Sequence, residues 1–516
     1  MTDNRSQRNL TRHGEIPEGL RPFDLDGDGR AARPIGAATF GRMFDLTPFS
    51  PPERLLAELA ESMREPEGPT PLWKPYARTP AGYITFGQFV THDLTHDPSP
   101  LPELTREREV RGLPNIRTPR FDLDPIYAEP PVSEVAAPRN GDKFQIANEG
   151  DASKPLDLMR TSAGRALIPD PRNDENVLIA QLHVAFMKLH NRFVDDLVAA
   201  RRAGRPLSDL PDFQAAKRFC QWHYQWLIVN DYLPEIVQRS TINAIRAFEH
   251  GRFKITTRCY TPPESGREPP WIPVELAAAA LRFGHSMLGV TYAVSSPDQK
   301  AETFGHDLTK PVLNGMRPIP PDLEVRWDLF FRVPGAPFRP QNNARALDSF
   351  LPRALFDVPK ALLPPGEEPT GPFSLALRDL QRGRRYGLPS GQEVAKAMRA
   401  KVPGTPVLPN RVLFRGSPLG EHPDWQDQAP LWFYILEEAR ELGNGETLGP
   451  VGGRIIAEVF LKLLDLDNDS YLHARQPFRP VFQPLGTSRE ATVGDLLAYA
   501  GVASGMTPWT GPYRRG

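Results

Sequence analysis

Proline sets the tightest limit on what this chain can become. There are 58 prolines in 516 residues, about 11% where about 5% is usual. Each lacks an amide proton and fixes its φ, so it interrupts a regular element rather than continuing it. They are scattered between apolar-periodic stretches, which predicts helices joined by rigid loops. The strongest period runs over 175–202, where Leu178, Leu182, Ala185, Leu189 and Phe193 recur at three- and four-residue steps. Further helices are expected at 51–64, 81–95, 213–232, 274–289, 373–382, 391–400, 430–442, 451–464 and 493–500. Strand-like alternation is scarce, with 253–259 as a short candidate. Proline-rich loops fall at 261–273, 359–372 and 402–411, too irregularly spaced to be repeats. The expected fold is mainly α: one large helical domain over 36–505, with an N-terminal arm (1–35), a short tail (506–516), long proline-rich loops and very little β.

Composition narrows the function class. A 40% hydrophobic content supports a substantial core, and Lys+Arg 62 against Asp+Glu 63 leaves no basic footprint for nucleic acid or anionic lipid. Cys220 and Cys259 make neither a disulfide framework nor a CxxC pair. No apolar run reaches the about 18 residues of a membrane span, and the opening MTDNRSQRNLTRHGE is polar, unlike a signal peptide. A cytoplasmic protein is expected, with leaderless export left open and oligomeric state unreadable. Two acidic strings, Asp24-x-Asp26-x-Asp28-Gly29 and Asp465-x-Asp467-x-Asp469, resemble calcium loops. They carry Ile35 and Gln476 where a bidentate Glu belongs, so a solvated loop or helix cap is the better reading.

Four stretches carry side chains suited to chemistry. In Phe86-Gly87-Gln88-Phe89-Val90-Thr91-His92-Asp93-Leu94, Gln88 and His92 lie four apart and share a helix face, with Asp93 turned about a hundred degrees away. Alone, such a His is more often a hydrogen-bonded core residue than a catalyst. Asp170-Pro171-Arg172-Asn173-Asp174-Glu175-Asn176 leads into the long helix with His183 and His190-Asn191-Arg192, and Asn173 or Asp174 is a natural N-cap. Leu281-Arg282-Phe283-Gly284-His285-Ser286 sits on an apolar, alanine-rich helix, where a buried His needs a partner or a metal. Gly284 beside it removes a side chain and lets a flat ligand approach the backbone. Arg378-Asp379-Leu380-Gln381-Arg382-Gly383-Arg384 sets a carboxylate among cations, as a surface ion-pair cluster also does.

Together and in this order, the four resemble the animal-type heme peroxidases of the peroxidase–cyclooxygenase superfamily, and look closest to its bacterial branch. Gly87-Gln88 to His92-Asp93 is similar to the distal histidine motif, and Arg172 to Glu175 to the catalytic-arginine segment. Arg282 to His285 resembles the proximal-ligand motif, and Leu380 to Arg384 with Gly387-Leu388-Pro389 the segment supplying the proximal partner. Weaker likeness runs from about Gly41 to Leu472 and leaves the first 35 residues outside.

The resemblance implies a heme b cofactor, hydrogen peroxide as oxidant and a small-molecule electron donor: a phenol, an aromatic amine or a halide. His92 takes the role of the proton-transferring base, Arg172 that of a fixed cation beside the departing oxygen, and Gln88 that of a holder of distal water. His285 takes the iron, with Asp379 as its hydrogen-bond partner and Arg282 and Arg382 near the heme edge. The implied product is a ferryl heme that draws electrons from the donor. A calcium ion is also implied beside the distal histidine, bound by Asp93, Thr118, the Arg120 carbonyl, Asp122 and Asp124.

Some positions depart from the family pattern. Thr91 stands where relatives carry an ester-forming Asp, so heme is expected to be held by one ester through Glu175 or by none. Asn176 replaces a sulfonium-forming methionine. Asp379 replaces a common asparagine, and a carboxylate there gives His285 imidazolate character and lowers the heme potential. Redox titration of Asp379→Asn should therefore show the couple shifted upward; an unchanged potential rejects the assignment. Thr91 also fits the cyclooxygenases and α-dioxygenases, which oxygenate fatty acids through a tyrosyl radical. The cyclooxygenases carry that tyrosine three residues before the proximal His, where this chain has Arg282 and no tyrosine is expected nearby on that side. A heme-carrying or adhesive module without activity is the remaining alternative, disfavoured by the joint presence of His92, Arg172 and His285.

Overall fold

Helical periodicity becomes helix along most of the chain. The computed structural model describes residues 38–66, 76–96, 110, 114–130, 133–249, 252–263, 270–336, 339–359, 373–474, 477–482 and 489–503. The arm, the tail, the first acidic string and most of the 359–372 loop lie outside them. Helix α1 (Glu53–Ser62) buries Leu55, Leu56 and Leu59, while α2 (Gly82–Leu94) buries most of its length. The long α3 (Val177–Arg202) packs along α4 (Asp212–Leu227). Helix α4 runs into a π-turn at Ile228–Tyr232 before ending at Leu233–Ile236. Pro234 explains the widening, because it cannot donate the amide that closes the next α-helical turn. The later helices are α5 (Leu375–Arg385), α6 (Gly391–Lys401), α7 (Leu431–Leu442), α8 (Pro450–Leu466) and α9 (Val493–Tyr499).

The molecule is mainly helical, 45% helix against 9% strand, with no closed sheet among the described residues. Strands are two to four residues long. Ala38–Gly41 pairs antiparallel with Pro114–Asn115 and parallel with Ile272–Pro273. The 253–259 candidate is half right: Arg252–Ile255 closes a hairpin with Arg246–Glu249. One contiguous apolar core reaches from Phe40 to Ala503, with α7 and α8 running through it. Among the described residues no helix is long and apolar enough to cross a membrane.

Two local expectations are corrected. The helix foreseen over 274–289 is three short pieces, Val274–Ala277, the 3-10 turn Ala280–Phe283, and Gly284–Met287. Its first turn is pinned by Glu275, which accepts the amides of Met43 and Phe44, and its last by His285 on Asp379. The small Ala278 and Ala279 between these anchors yield, with Ala279 at φ −134° and ψ −68°. The N-cap of α3 is Asn176, which accepts the Ile179 amide at 2.9 Å, rather than Asn173 or Asp174. The string at 465–469 is the C-terminal end of α8, with Asp467 accepting the Asp469 amide.

Candidate active site

On the distal side, α2 turns His92 inward and Asp93 away, as their spacing requires. The His92 ring is buried, with Nδ1 2.8 Å from Asn173 Oδ1. Burial first, and the nearby Arg172 charge second, lower its pKa to about 4, so the imidazole is neutral at neutral pH. The turn Pro171–Asp174 is capped by Asp170, whose carboxylate accepts the Arg172 amide. Asp170 also accepts Nε (3.0 Å) and Nη2 (2.6 Å) of Arg172 and Nη2 of Arg117 (2.5 Å). Burial alone would raise this carboxyl, but the two guanidinium charges hold it well below the usual range. Arg172 further donates to the carbonyls of Thr95 (2.7 Å) and His92 (2.9 Å). Four of its five N–H groups are thus taken within the protein.

Gln88 does not stand free over the cavity. Its amide nitrogen donates to Glu175 and its oxygen accepts from Asn176, each at 3.2 Å. The Thr91 hydroxyl is spent on the Gly87 carbonyl.

On the proximal side, His285 Nδ1 lies 2.6 Å from Asp379 Oδ2, and Arg282 donates to Asp379 Oδ1 at 2.9 Å. Asp379 is 1% exposed, so it is no surface ion-pair residue. Burial pushes its carboxyl up, but His285 and Arg282 outweigh that and hold it at about 2.

One cavity of about 350 Å3 joins the two sides, within the about 300–1,000 Å3 usual for cofactor sites. Its lining includes Gln88, His92, Arg172 and Glu175 together with Arg282, His285 and Arg382. Asp379 stands behind His285 and is absent from the lining. Contrary to the sequence expectation a tyrosine stands near Arg282, Tyr386 at the end of α5; Tyr83, Tyr232 and Tyr292 also line the cavity.

The expected calcium residues gather apart from the cavity lining. Asp93 accepts the amides of Leu123 (3.3 Å) and Asp124 (2.9 Å), and Asp122 accepts the Thr118 hydroxyl at 2.8 Å. Burial and mutual repulsion push Asp93 well above the usual range and Asp122 up to about 8; burial also raises Asp124. Asp122 Oδ1 and Asp124 Oδ2 are buried without a hydrogen-bond partner among the described residues. The excess charge fits a cation, yet no three acidic, His or Cys side chains there are placed to hold a metal by themselves. Arg120 contributes a side-chain contact to Asp467, 3.5 Å away.

The sequence profile of the animal haem peroxidase family matches residues 137–405, just over half of the chain. The chain belongs to the animal haem peroxidase family. The matched span holds Arg172, Glu175, Arg282, His285, Asp379 and Arg382, and the cavity brings His92 to them from outside it. The chain is 26% identical over 314 residues to "Peroxidasin homolog pxn-2" of Caenorhabditis elegans, covering 59% of this chain and 21% of that protein. It is 24% identical over 362 residues to a "Peroxidase-like protein" of Margaritifera margaritifera, covering 59% and 43%. The chain therefore spans less than half the length of these relatives. In fold it is similar to peroxidase A from Dictyostelium discoideum, with TM-score 0.55, 15% identity, and 89% and 93% of the two chains covered. It is also similar to a fatty acid alpha-dioxygenase of Arabidopsis thaliana, with TM-score 0.57, 15% identity, and coverage of 91% and 81%.

Family membership implies bound heme, and the cavity fits it. A Cβ built on Gly284, next to His285, meets nothing within 4 Å. The Nε atoms of Arg282 and Arg382 are buried without a hydrogen-bond partner among the described residues, as expected of donors awaiting an anionic group. Sequence reasoning missed the work of Asp170, Asn173 and His183. All three lie in the segment 170–192, where the one signal visible was a helix N-cap at Asn173 or Asp174.

Proposed function

We propose that this chain is a heme-dependent peroxidase that reduces hydrogen peroxide and oxidises small electron donors. What supports this most is that His92, Arg172 and His285, from three separated segments, line one cavity. Heme, when bound, supplies the two-electron reduction of peroxide at iron. His285 would hold the heme iron, with Asp379 accepting its Nδ1–H and raising its donor strength. His92 is neutral and accepts a peroxide proton at Nε2, then returns it to the departing oxygen. Arg172 is already fixed by Asp170 and two carbonyls, so its remaining Nη1–H faces developing charge without reorganising. Gln88 is oriented by Glu175 and Asn176, which leaves one Nε2–H and one Oε1 lone pair to hold distal water.

The finer assignments belong to the same reading: membership of the bacterial branch, one catalytic unit over 36–505, heme b held by one Glu175 ester or none, and a calcium ion on the 118–124 loop. Two orphaned carboxylate oxygens support the calcium. A second reading, fatty-acid oxygenation, is favoured by one observation, the tyrosines of the cavity lining, Tyr386 among them. Purified holoprotein mixed with peroxide and a phenol or aromatic amine should oxidise the donor, and chelation of calcium should slow it. Oxygen uptake with a fatty acid would support the dioxygenase instead, and neither activity would leave a heme carrier.

A further inference from the structure

Resting on the peroxidase reading, we propose that Asn173 is a positioning residue that fixes the tautomer of His92, and that His183 in turn holds Asn173. The observation is a chain of three buried side chains. His92 Nδ1 is 2.8 Å from Asn173 Oδ1, and Asn173 Nδ2 is 3.0 Å from His183 Nδ1. Asn173 and His183 are fully buried, and neither is among the residues lining the cavity.

The chemistry follows from what each atom can do. A carboxamide oxygen only accepts, so His92 Nδ1 carries the hydrogen and Nε2 keeps its lone pair. The carboxamide nitrogen only donates, so His183 Nδ1 is bare and its hydrogen sits on Nε2. Turning the amide over would reverse both rings and leave His92 with Nε2–H, useless as a proton acceptor. His183 therefore acts as the second anchor: it keeps the far amide atom paired, so Asn173 holds one orientation and passes it to the His92 ring. The short turn Pro171–Asp174 makes this feasible, because its consecutive side chains serve different partners. Arg172 goes to Asp170 and the end of α2, Asn173 to the two histidines, and Asp174 to Arg160.

The test begins on the full chain without heme, so that it stands whether or not the peroxidase reading does. Two-bond 1H–15N correlation spectra of 15N-histidine protein, with His92 assigned from His92→Gln, should show Nδ1 protonated and Nε2 bare. Asn173→Ala should give a mixture of tautomers, and Asn173→Asp, which keeps an acceptor oxygen, should restore Nδ1–H. In holoprotein, the rate constant for peroxide should fall about 10- to 100-fold in Asn173→Ala, part of the about 10²–10⁴ a positioned base contributes. Asn173→Asp should recover most of it, with the donor KM unchanged in both. An Nε2–H tautomer in the unaltered chain overturns the proposal, and so does a tautomer that ignores Asn173→Ala. A correct tautomer in a holoprotein inert to peroxide would overturn the peroxidase reading and leave this one standing.

Discussion

At the scale of single residues, Asp170 carries more than its place in the sequence announces. Two buried guanidinium groups, of Arg117 and Arg172, end on its carboxylate. Replacing it with alanine leaves both charges without their counter-ion, and removing one partner of a buried pair costs about 3–5 kcal/mol. Asp170→Ala should therefore lower stability by that order in urea unfolding and abolish peroxide turnover, while Asp170→Asn should do less. The pH dependence has a fixed sign. The folded pKa is depressed, so the contribution is present above the unfolded value of about 3.9 and lost as pH falls through the folded one. Acid unfolding of the unaltered chain should thus be steeper below about pH 4 than that of Asp170→Asn; equal slopes would remove Asp170 from this role. His92, Arg172, His285 and Asp379 could be picked out in the sequence because four local strings, each weak alone, together and in order resemble a family pattern. Asp170, Asn173 and His183 were not, because the roles of Asp170 and Asn173 depend on partners 53 and 81 residues away (Arg117 and His92) and that of His183 on Asn173, which leaves no local spacing to read.

At the scale of elements, the approach of α2 to the π-turn depends on one missing side chain. A Cβ on Gly87 would lie 2.2 Å from the Tyr232 hydroxyl oxygen. The π-turn also presents Asp231 to the Tyr83 hydroxyl at 2.8 Å and to the Val493 amide, so Tyr232 has little freedom to retreat. Overpacking costs about 1–3 kcal/mol, against a helix-propensity gain of about 1 kcal/mol for Gly to Ala. Gly87→Ala should come out destabilised in thermal melts, and Gly87→Ala with Tyr232→Phe should recover part of the loss. A double-mutant cycle with no coupling would show that the two elements do not meet as described. The helices were readable from period alone, since apolar spacing is local. The break at Ala278–Ala279 was not, because alanine is the best intrinsic helix former and only tertiary anchors at Glu275 and His285 override it.

At the scale of the whole molecule, the cavity is an assembly of distant pieces: α2, the 170–176 turn, the segment around 284–285 and the end of α5 all contribute walls. Each piece packs on the common core, so the pocket exists only when the fold does. A ligand that binds there and not to the unfolded chain must stabilise all of it by mass action, about 2.7 kcal/mol at a free concentration of 100 Kd. Hemin should raise the Tm of the chain, and the Tm should keep rising with concentration after the site is saturated. His285→Ala should lose most of this gain by removing the iron ligand. Gly284→Ala is the sharper control, because its methyl group enters open space. It should leave the heme-free Tm unchanged or higher, since the position is helical and alanine restricts the unfolded chain. The same methyl group should weaken hemin binding by crowding the slot beside His285. A Tm insensitive to hemin, or a Gly284→Ala protein as responsive as its parent, would mean that the porphyrin does not lie against this stretch of backbone.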